Sequence, residues 1–219
     1  QPKEYTGSHG TNGFHMKFDD VSTETSLGND SSDSNNNYTP ENIVNTTPAN
    51  VMASSGVDVL TWAGNGNNGR NISGLSFQPD FVWIKNQNNT SGYGHILVDA
   101  ARSAGRYIRS DGTGVESVFG YVSAFRSDGF TISNHTEVNG GSNNYVAWCW
   151  KAGGSPSSNT DGSITSNVSV NTSFGFSCLT YTGNNSSGTV GHGLGKAPEW
   201  VLIKNRDTSS NFYCYHNKI

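Results

Sequence analysis

The 219-residue chain is 32% hydrophobic and only 14% charged, with 27 glycines and a formal net charge of −4. It is long enough to bury at least one real core, and its polarity comes from uncharged Asn, Ser and Thr rather than from the charge runs of disordered chains. The few Lys and Arg are scattered, which argues against nucleic acid and against an acidic membrane surface, and no apolar run reaches the length of a membrane span.

In chain order, the first 20 residues carry the alternation Phe14, Met16, Phe18 against His15 and Lys17. This predicts a half-buried strand after a Gly-rich turn. Residues 21–48 are nearly devoid of large apolar side chains, and 21–56 reads as a polar connector with Asx-type turns, which would gain order by packing on sister chains. Strands are expected at 57–64, 80–86, 94–100, 106–111, 118–125, 129–133 and 144–152, each a β-branched or aromatic run closed by turn residues such as NGNNG, SDGTG and NGGSNN. Only VDAARSAGRY, at 98–107, has helical character, weakened by Gly105. A Gly/Ser linker comes next at 153–166, and strand-like text resumes at 167. Cys149, Cys178 and Cys214 are an odd number set among aromatic and β-branched residues, so three buried thiols are expected rather than a disulfide framework.

The chain also repeats itself. Residues 74–87 read GLSFQPDFVWIKNQ and residues 193–206 read GLGKAPEWVLIKNR. At this constant offset of 119, Leu60 falls on Leu179, Trp62 on Tyr181, Gly64 on Gly183, Asp80 on Glu199, Val82 on Val201, Ile84 on Ile203 and Lys85 on Lys204. One complete module, 57–152, is therefore succeeded by the opening of a second, 167–219. In DFVWIKN, Phe81, Trp83 and Lys85 share one face and Val82 and Ile84 the other. Lys85 and Lys204 are expected to reach water from strand ends, and Trp83 and Trp200 to sit in the core. The fold class is all-β: an antiparallel sandwich or jelly-roll-like module with the start of a second repeat of the same module.

The segments GLSFQPDFVWIKN, AFRSDGF, NNYVAWCWKAGG, TYTGNNSSGTVGHGLGKAPEWVLIKNR and FYCYHNKI, spread over residues 57–219, together resemble a family of virion structural proteins of marine tailed bacteriophages, described as tail-fibre or tail-fibre-like. The opening residues 1–20, with the polar text after them, resemble the end of a laminin-G-like, concanavalin-A-type domain and its C-terminal extension in such proteins. Here the usual Asp-Ser-Ser-Gly-Asn phrase has become Asp30-Ser31-Ser32-Asp33-Ser34-Asn35. The resemblance implies a phage appendage in the virion, joined to other virion proteins and commonly trimeric, and it brings no catalytic residues; contact with host surface polysaccharide and a role as a spacer for a distal tip both stay open. Since Gln1 is not an initiator and the second block lacks counterparts of YVSAFRSDGF and YVAWCWKA, the polypeptide is expected to extend at both ends.

Candidate chemistry is sparse. Asp30, Asp33, Asn35 and Asn37 place oxygen donors in one short loop, as a hard cation such as Ca²⁺ requires, although the same residues make a solvated Asx-turn linker without any ion. Beyond that ion no cofactor is implied. The histidines at 9, 15, 95, 135, 192 and 216 have no zinc-like spacing. Asp99, Asp111, Glu116, Asp128 and Glu137 are the carboxylates available to a glycosidase, but each lies beside turn residues, and no Gly-x-Ser-x-Gly elbow is present. Trp62, Trp148 and Trp150 are candidates to stack on sugar rings beside Asn, Asp and Ser side chains, unless they belong to the core. Trp148 and Trp150 flank Cys149 and must share the face opposite to it. The expected function is a non-catalytic virion component. A carbohydrate-binding module of a secreted glycan hydrolase and a head decoration or fibre protein are the alternatives.

Overall fold

The structure is a computed structural model that describes residues 7–8, 10–15, 30–32, 34–37, 56–88 and 92–218. The chain divides into two compact units, Gln1–Val51 and Met52–Ile219. In the first, a turn at residues 10–15 is tied to residues 30–37 by polar side chains. Asn36 Nδ2 donates to Thr11 O and Gly13 O at 3.0 and 2.9 Å, and Ser31 N–H donates to His15 O at 2.7 Å. Phe14 is 49% exposed, and residues 13–15 are not in a strand. Met16 and Phe18 of the expected strand, and most of the 21–56 connector, lie outside the described residues.

The second unit is all-β and sandwich-like. Its first module contains β1 (Val57–Ala63), β2 (Arg70–Ser73), β3 (Phe81–Asn86), β4 (Ile96–Asp99), β5 (Arg106–Arg109), β6 (Ser117–Val118), β7 (Val122–Arg126), β8 (Gly129–Ile132) and β9 (Asn144–Trp150). One sheet runs in the order β1-β9-β3-β4-β5-β6 and a smaller one β2-β8-β7, with every strand pair antiparallel. The core lies where their apolar faces meet: Val82, Ile84, Ile96, Val98, Tyr145, Ala147 and Cys149 from the larger sheet against Ile72, Val122, Phe130 and Ile132 from the smaller. The strand β9, last in sequence, is inserted between β1 and β3.

Two local expectations change. Residues 100–105 of the helix candidate are turn and loop, with Ser103 at φ +79°. The one helix among the described residues is instead α1 (Thr136–Asn139), whose first turn is capped by His135 Nδ1 accepting from Glu137 N–H at 3.1 Å. This single turn closes one end of the sandwich. Trp62 Nε1 donates to Val138 O (3.0 Å), Tyr145 Oη donates to Thr136 O (2.6 Å), and Gly140 N–H donates to Tyr145 Oη (2.8 Å). The closure is tight enough that a Cβ on Gly64 would stand 2.0 Å from Gly140 O. The run VFGYVSAF is also divided, because Gly120 at φ +69° turns the chain between β6 and β7.

The second copy supplies β10 (Ser157–Asn159), β11 (Ser166–Asn171) and β12 (Phe176–Tyr181) as one sheet, and β13 (Trp200–Ile203) with β14 (Tyr213–His216) as a hairpin. Part of the expected linker is therefore a paired strand, β10 against β11. The hairpin docks on the first module through its loop: Arg206 grips Glu116 at 2.8 and 2.9 Å, and Arg206 O accepts from Glu116 N–H at 2.9 Å. Lys85 and Lys204 are tethers rather than free ends, with Nζ on Tyr93 O at 2.6 Å and on Thr113 O and Asn205 O at 3.2 and 3.0 Å. Trp200, expected in the core, is 51% exposed, with its Nε1 on Cys214 Sγ at 3.1 Å. Cys149 is buried, but Cys178 is half-buried and Cys214 exposed, all three as free thiols. Burial pushes the Cys149 and Cys178 thiols up to about 12, so both are inert near neutrality.

Candidate functional site

Directly opposed residues of an antiparallel pair point to the same side of a sheet. The registers of β1, β9 and β3 therefore place Val59, Trp148 and Trp83 in one outward row, with Val57, Trp150 and Phe81 beside it and Thr61, Val146 and Lys85 on the other flank. In the central row Trp83 and Trp148 meet edge to face at 6.2 Å, and Trp83 meets the His95 ring at 5.8 Å. Both tryptophans are half-buried and Val59 is 45% exposed. Beyond the end of this row, and not lined by its rings, a shallow cleft of about 420 Å³ opens among Thr61, Trp62, Ala63, Gln87, Asn144 and Tyr145. Stackable rings with amide and hydroxyl groups at their margin are the elements of a sugar-binding surface.

The polar contact of the row favours the neutral His95 ring. Trp83 Nε1 donates to His95 Nδ1 at 2.7 Å, so Nδ1 must be bare and the proton sits on Nε2. Burial, together with the nearby Lys85 ammonium, lowers the His95 pKa from 6.5, outweighing the pull of Asp111. The folded chain therefore favours the neutral ring. The contribution of His95 to stability is complete above pH 6.5 and is lost as the pH falls from 6.5 through the lower folded value. An NMR titration is expected to place the His95 midpoint below 6.5, and a midpoint above that value would contradict the geometry.

The sequence candidates separate by location. Trp148 joins Trp83 and His95 in the open row. Trp150 is roofed by Phe176 of β12, stacked at 6.0 Å with 22° between planes, and therefore serves packing between the two copies. Trp62 is 8% exposed, stacked on Tyr145 at 5.5 Å, with its N–H spent on Val138 O, and so belongs to the core. Trp83 and His95 are site residues that sequence reasoning misses. The alternation of Trp83 with Val82 and Ile84 is a visible signal, but its cross-strand neighbour Trp148 is 65 residues further along the chain and is brought there only by the insertion of β9.

At the oxygen-rich loop, Asp30 Oδ1 accepts from His15 N–H (2.7 Å) and Ser32 N–H (2.9 Å), and Oδ2 accepts from Ser32 Oγ (2.7 Å) and Asn36 N–H (2.8 Å). Burial opposes ionisation, but these donors outweigh it and hold the Asp30 carboxyl well below the usual range. Asn37 Oδ1 accepts from Asp30 N–H (2.8 Å), and Asn35 Oδ1 accepts from Asn37 Nδ2 (3.2 Å). These described oxygens thus organise the turn itself. Asp33 lies outside the described residues. Among the described residues no three His, Cys, Asp or Glu side chains gather as metal ligands.

The acidic residues weighed for hydrolysis are mostly arginine-bound. Asp99 takes Arg102 Nε at 2.6 Å, and Glu137 takes Arg109 at 2.5 and 2.7 Å. Glu116 faces Arg102, Arg106 and Arg206 at 3.5, 3.0 and 2.8 Å. A second aromatic cluster lies near Glu137, where the exposed Phe119 ring meets Tyr121 and His135 at 4.7 and 4.9 Å.

Compared with known proteins, residues 52–219 match the family model described as "Domain of unknown function (DUF7483)". No curated protein and no solved structure matches the chain.

Proposed function

The chain belongs to the DUF7483 family, and from that premise we propose that it is a non-catalytic structural component of a virion, part of the tail fibre or other host-contact appendage of a tailed bacteriophage, and that it binds host-surface glycans. The observation that carries the glycan reading is the outward row Trp83–Trp148–His95, bounded by Lys85 and Thr61, on a rigid sheet of a repeated module. The resemblance of the repeated phrase and of YVAWCWKAGG to virion proteins supports the appendage. Arginine pairing of Asp99, Glu116 and Glu137 supports a non-catalytic role, since a general acid or base must exchange its proton with substrate rather than stay locked as an ion pair. A trimeric assembly with other virion proteins accompanies this reading.

Glycan-array binding tests it directly. Trp148→Ala should weaken the best glycan about tenfold, because a ring–sugar stacking contact is lost, while the fold survives the truncation of a half-exposed side chain. Binding unchanged in this variant would exclude the row as the glycan site. Release of sugar product from a bound glycan would instead favour the carbohydrate-binding module of a hydrolase. Labelling the chain in intact particles separates a tail position from a head decoration, and a monomer in solution with one copy per fibre in particle maps would end the trimer reading.

A further inference from the structure

The repeated phrase has different surroundings in its two copies. In the first, Val82 and Ile84 are each 0% exposed, opposite Cys149 and Ala147 of β9. In the second, Val201 is half-buried while Ile203 is 41%, Leu202 38% and Trp200 51% exposed. Asp80 Oδ2 accepts the N–H groups of Ala152 (2.8 Å) and Gly154 (3.2 Å), immediately behind β9, whereas its counterpart Glu199 is exposed. Gly64 is pressed against Gly140 just ahead of β9, whereas nothing stands within 4 Å of a Cβ placed on Gly183. The first difference follows from the facing sheet β2-β8-β7, whose apolar residues cover Val82 and Ile84, and the other two from the flanks of β9.

Backbone hydrogen bonds identify the edge concerned. On the β4 side of β3, Ala100 N–H donates to Asp80 O at 2.8 Å; on the β14 side of β13, Asn217 N–H donates to Glu199 O at 2.9 Å. The same edge thus carries the hairpin partner in both copies. The opposite edge of β3 is taken by β9, and among the described residues no strand pairs with the opposite edge of β13.

We propose that this open edge of β13 is a strand-accepting site, taking one further antiparallel strand of the β9 pattern, Tyr-Val-Ala-Trp-Cys-Trp-Lys-Ala-Gly-Gly. The chain's own β9 is held between β1 and β3, so the occupant is a second strand of this pattern from another polypeptide segment. The first copy sets the register. The second Trp of the incoming strand lies opposite Trp200, Cys opposite Val201, the first Trp opposite Leu202 and Ala opposite Ile203, matching Phe81↔Trp150 through Ile84↔Ala147. Glu199 then accepts the N–H groups of the Ala and the second Gly behind the strand. Main-chain bonds supply affinity, and the alternation of large and small side chains supplies specificity. The retained Val/Ile face and acidic anchor suit this occupant better than an arbitrary apolar surface.

The probe is a synthetic peptide of residues 143–154, NNYVAWCWKAGG, added to the full 219-residue chain. The expected result is equimolar binding that slows amide exchange over residues 200–204 by about tenfold or more. Glu199→Ala, at an exposed position that leaves folding intact, should weaken binding about tenfold, the loss of one charged acceptor for two backbone donors. A peptide with Pro in place of the first Trp, opposite Leu202, loses a ladder N–H and should not bind. Unchanged exchange at saturating peptide, or binding indifferent to both substitutions, overturns the site. A chain that already sediments as a dimer, with residues 200–204 protected and Ile203→Lys separating the copies, overturns it as well, since a second copy would then cover this edge.

Discussion

Ile84→Ala lowers stability by about 4 kcal/mol, and Ile203→Ala, the same change at the matching position of the second copy, by less than about 1 kcal/mol. Ile84 is 0% exposed and is closed in by Val82, Ile96, Val98 and Ala147 of the core, so truncation leaves a cavity the sandwich cannot collapse into. Ile203 is 41% exposed, and water already touches the methyl groups that truncation removes. Denaturant unfolding of the two variants, read by tryptophan fluorescence, measures the difference. Equal losses would mean that the second hairpin is buried in solution, and the open edge of β13 would have to be abandoned.

Glu116→Gln should cost about 2 kcal/mol, the loss of charge-assisted hydrogen bonds from Arg206 and Arg106 to a carboxylate. The Glu116 side chain is 7% exposed and Arg102 is 6% exposed, while Arg106 and Arg206 are 47% and 36% exposed and can turn to water. Arg102 is not left unpaired, since it keeps Asp99 at 2.6 Å. Arg206 belongs to the hairpin loop, so the loss falls on docking of the second copy. Amide exchange over residues 200–216 should quicken while that of β3 and β9 stays slow. Burial alone would raise the Glu116 pKa, but the hydrogen bonds and charges of Arg206, Arg102 and Arg106 outweigh it and lower the value from 4.5. The folded carboxyl thus binds fewer protons than the unfolded one. Its stabilisation is complete above about pH 4.5 and is lost as the pH falls through the lower folded value. Acid should release the hairpin in the parent chain and have less effect in Glu116→Gln. Uniform quickening across both copies would assign Glu116 to the core rather than to the clasp.

Turn residues and alternation make most strands readable within two residues of their ends, as in VDVLTWA, FVWIKN and NYVAWCW, because both signals lie between near neighbours in sequence. β2 escapes such reading because Arg70–Ser73 has one apolar residue, Ile72, and becomes a strand by pairing with β8. The same cause hides β10 in Gly/Ser-rich text that reads as linker. The helix candidate fails because Asp99 caps the turn from its own side chain, with Oδ1 accepting from Arg102 N–H at 2.9 Å, and the chain then leaves through Ser103 at positive φ. Of the site, Trp148 is legible as an aromatic facing away from Cys149, whereas the sequence leaves the core placement of Trp62 open. The carboxylates near Gly, Ser and Asn look like loop residues, yet Asp99, Glu116 and Glu137 are buried, since their arginine partners are set by folding rather than by spacing.

The sequence alone determined the all-β class, the module that recurs at an offset of 119 residues, and the division of each strand into two faces, because periodicity and turn chemistry act over a few residues. Tertiary structure decided which face each strand shows to water. By inserting β9 between β1 and β3, it joined Trp148 to Trp83 and His95, buried Trp62 and closed over Gly64. It also left the matching residues of the second copy, from Trp200 to Ile203, with an open edge. Burial is a property of neighbours, and the neighbours that matter here are brought together across scores of residues, so two nearly identical phrases lead to a core strand in one place and an exposed one in the other.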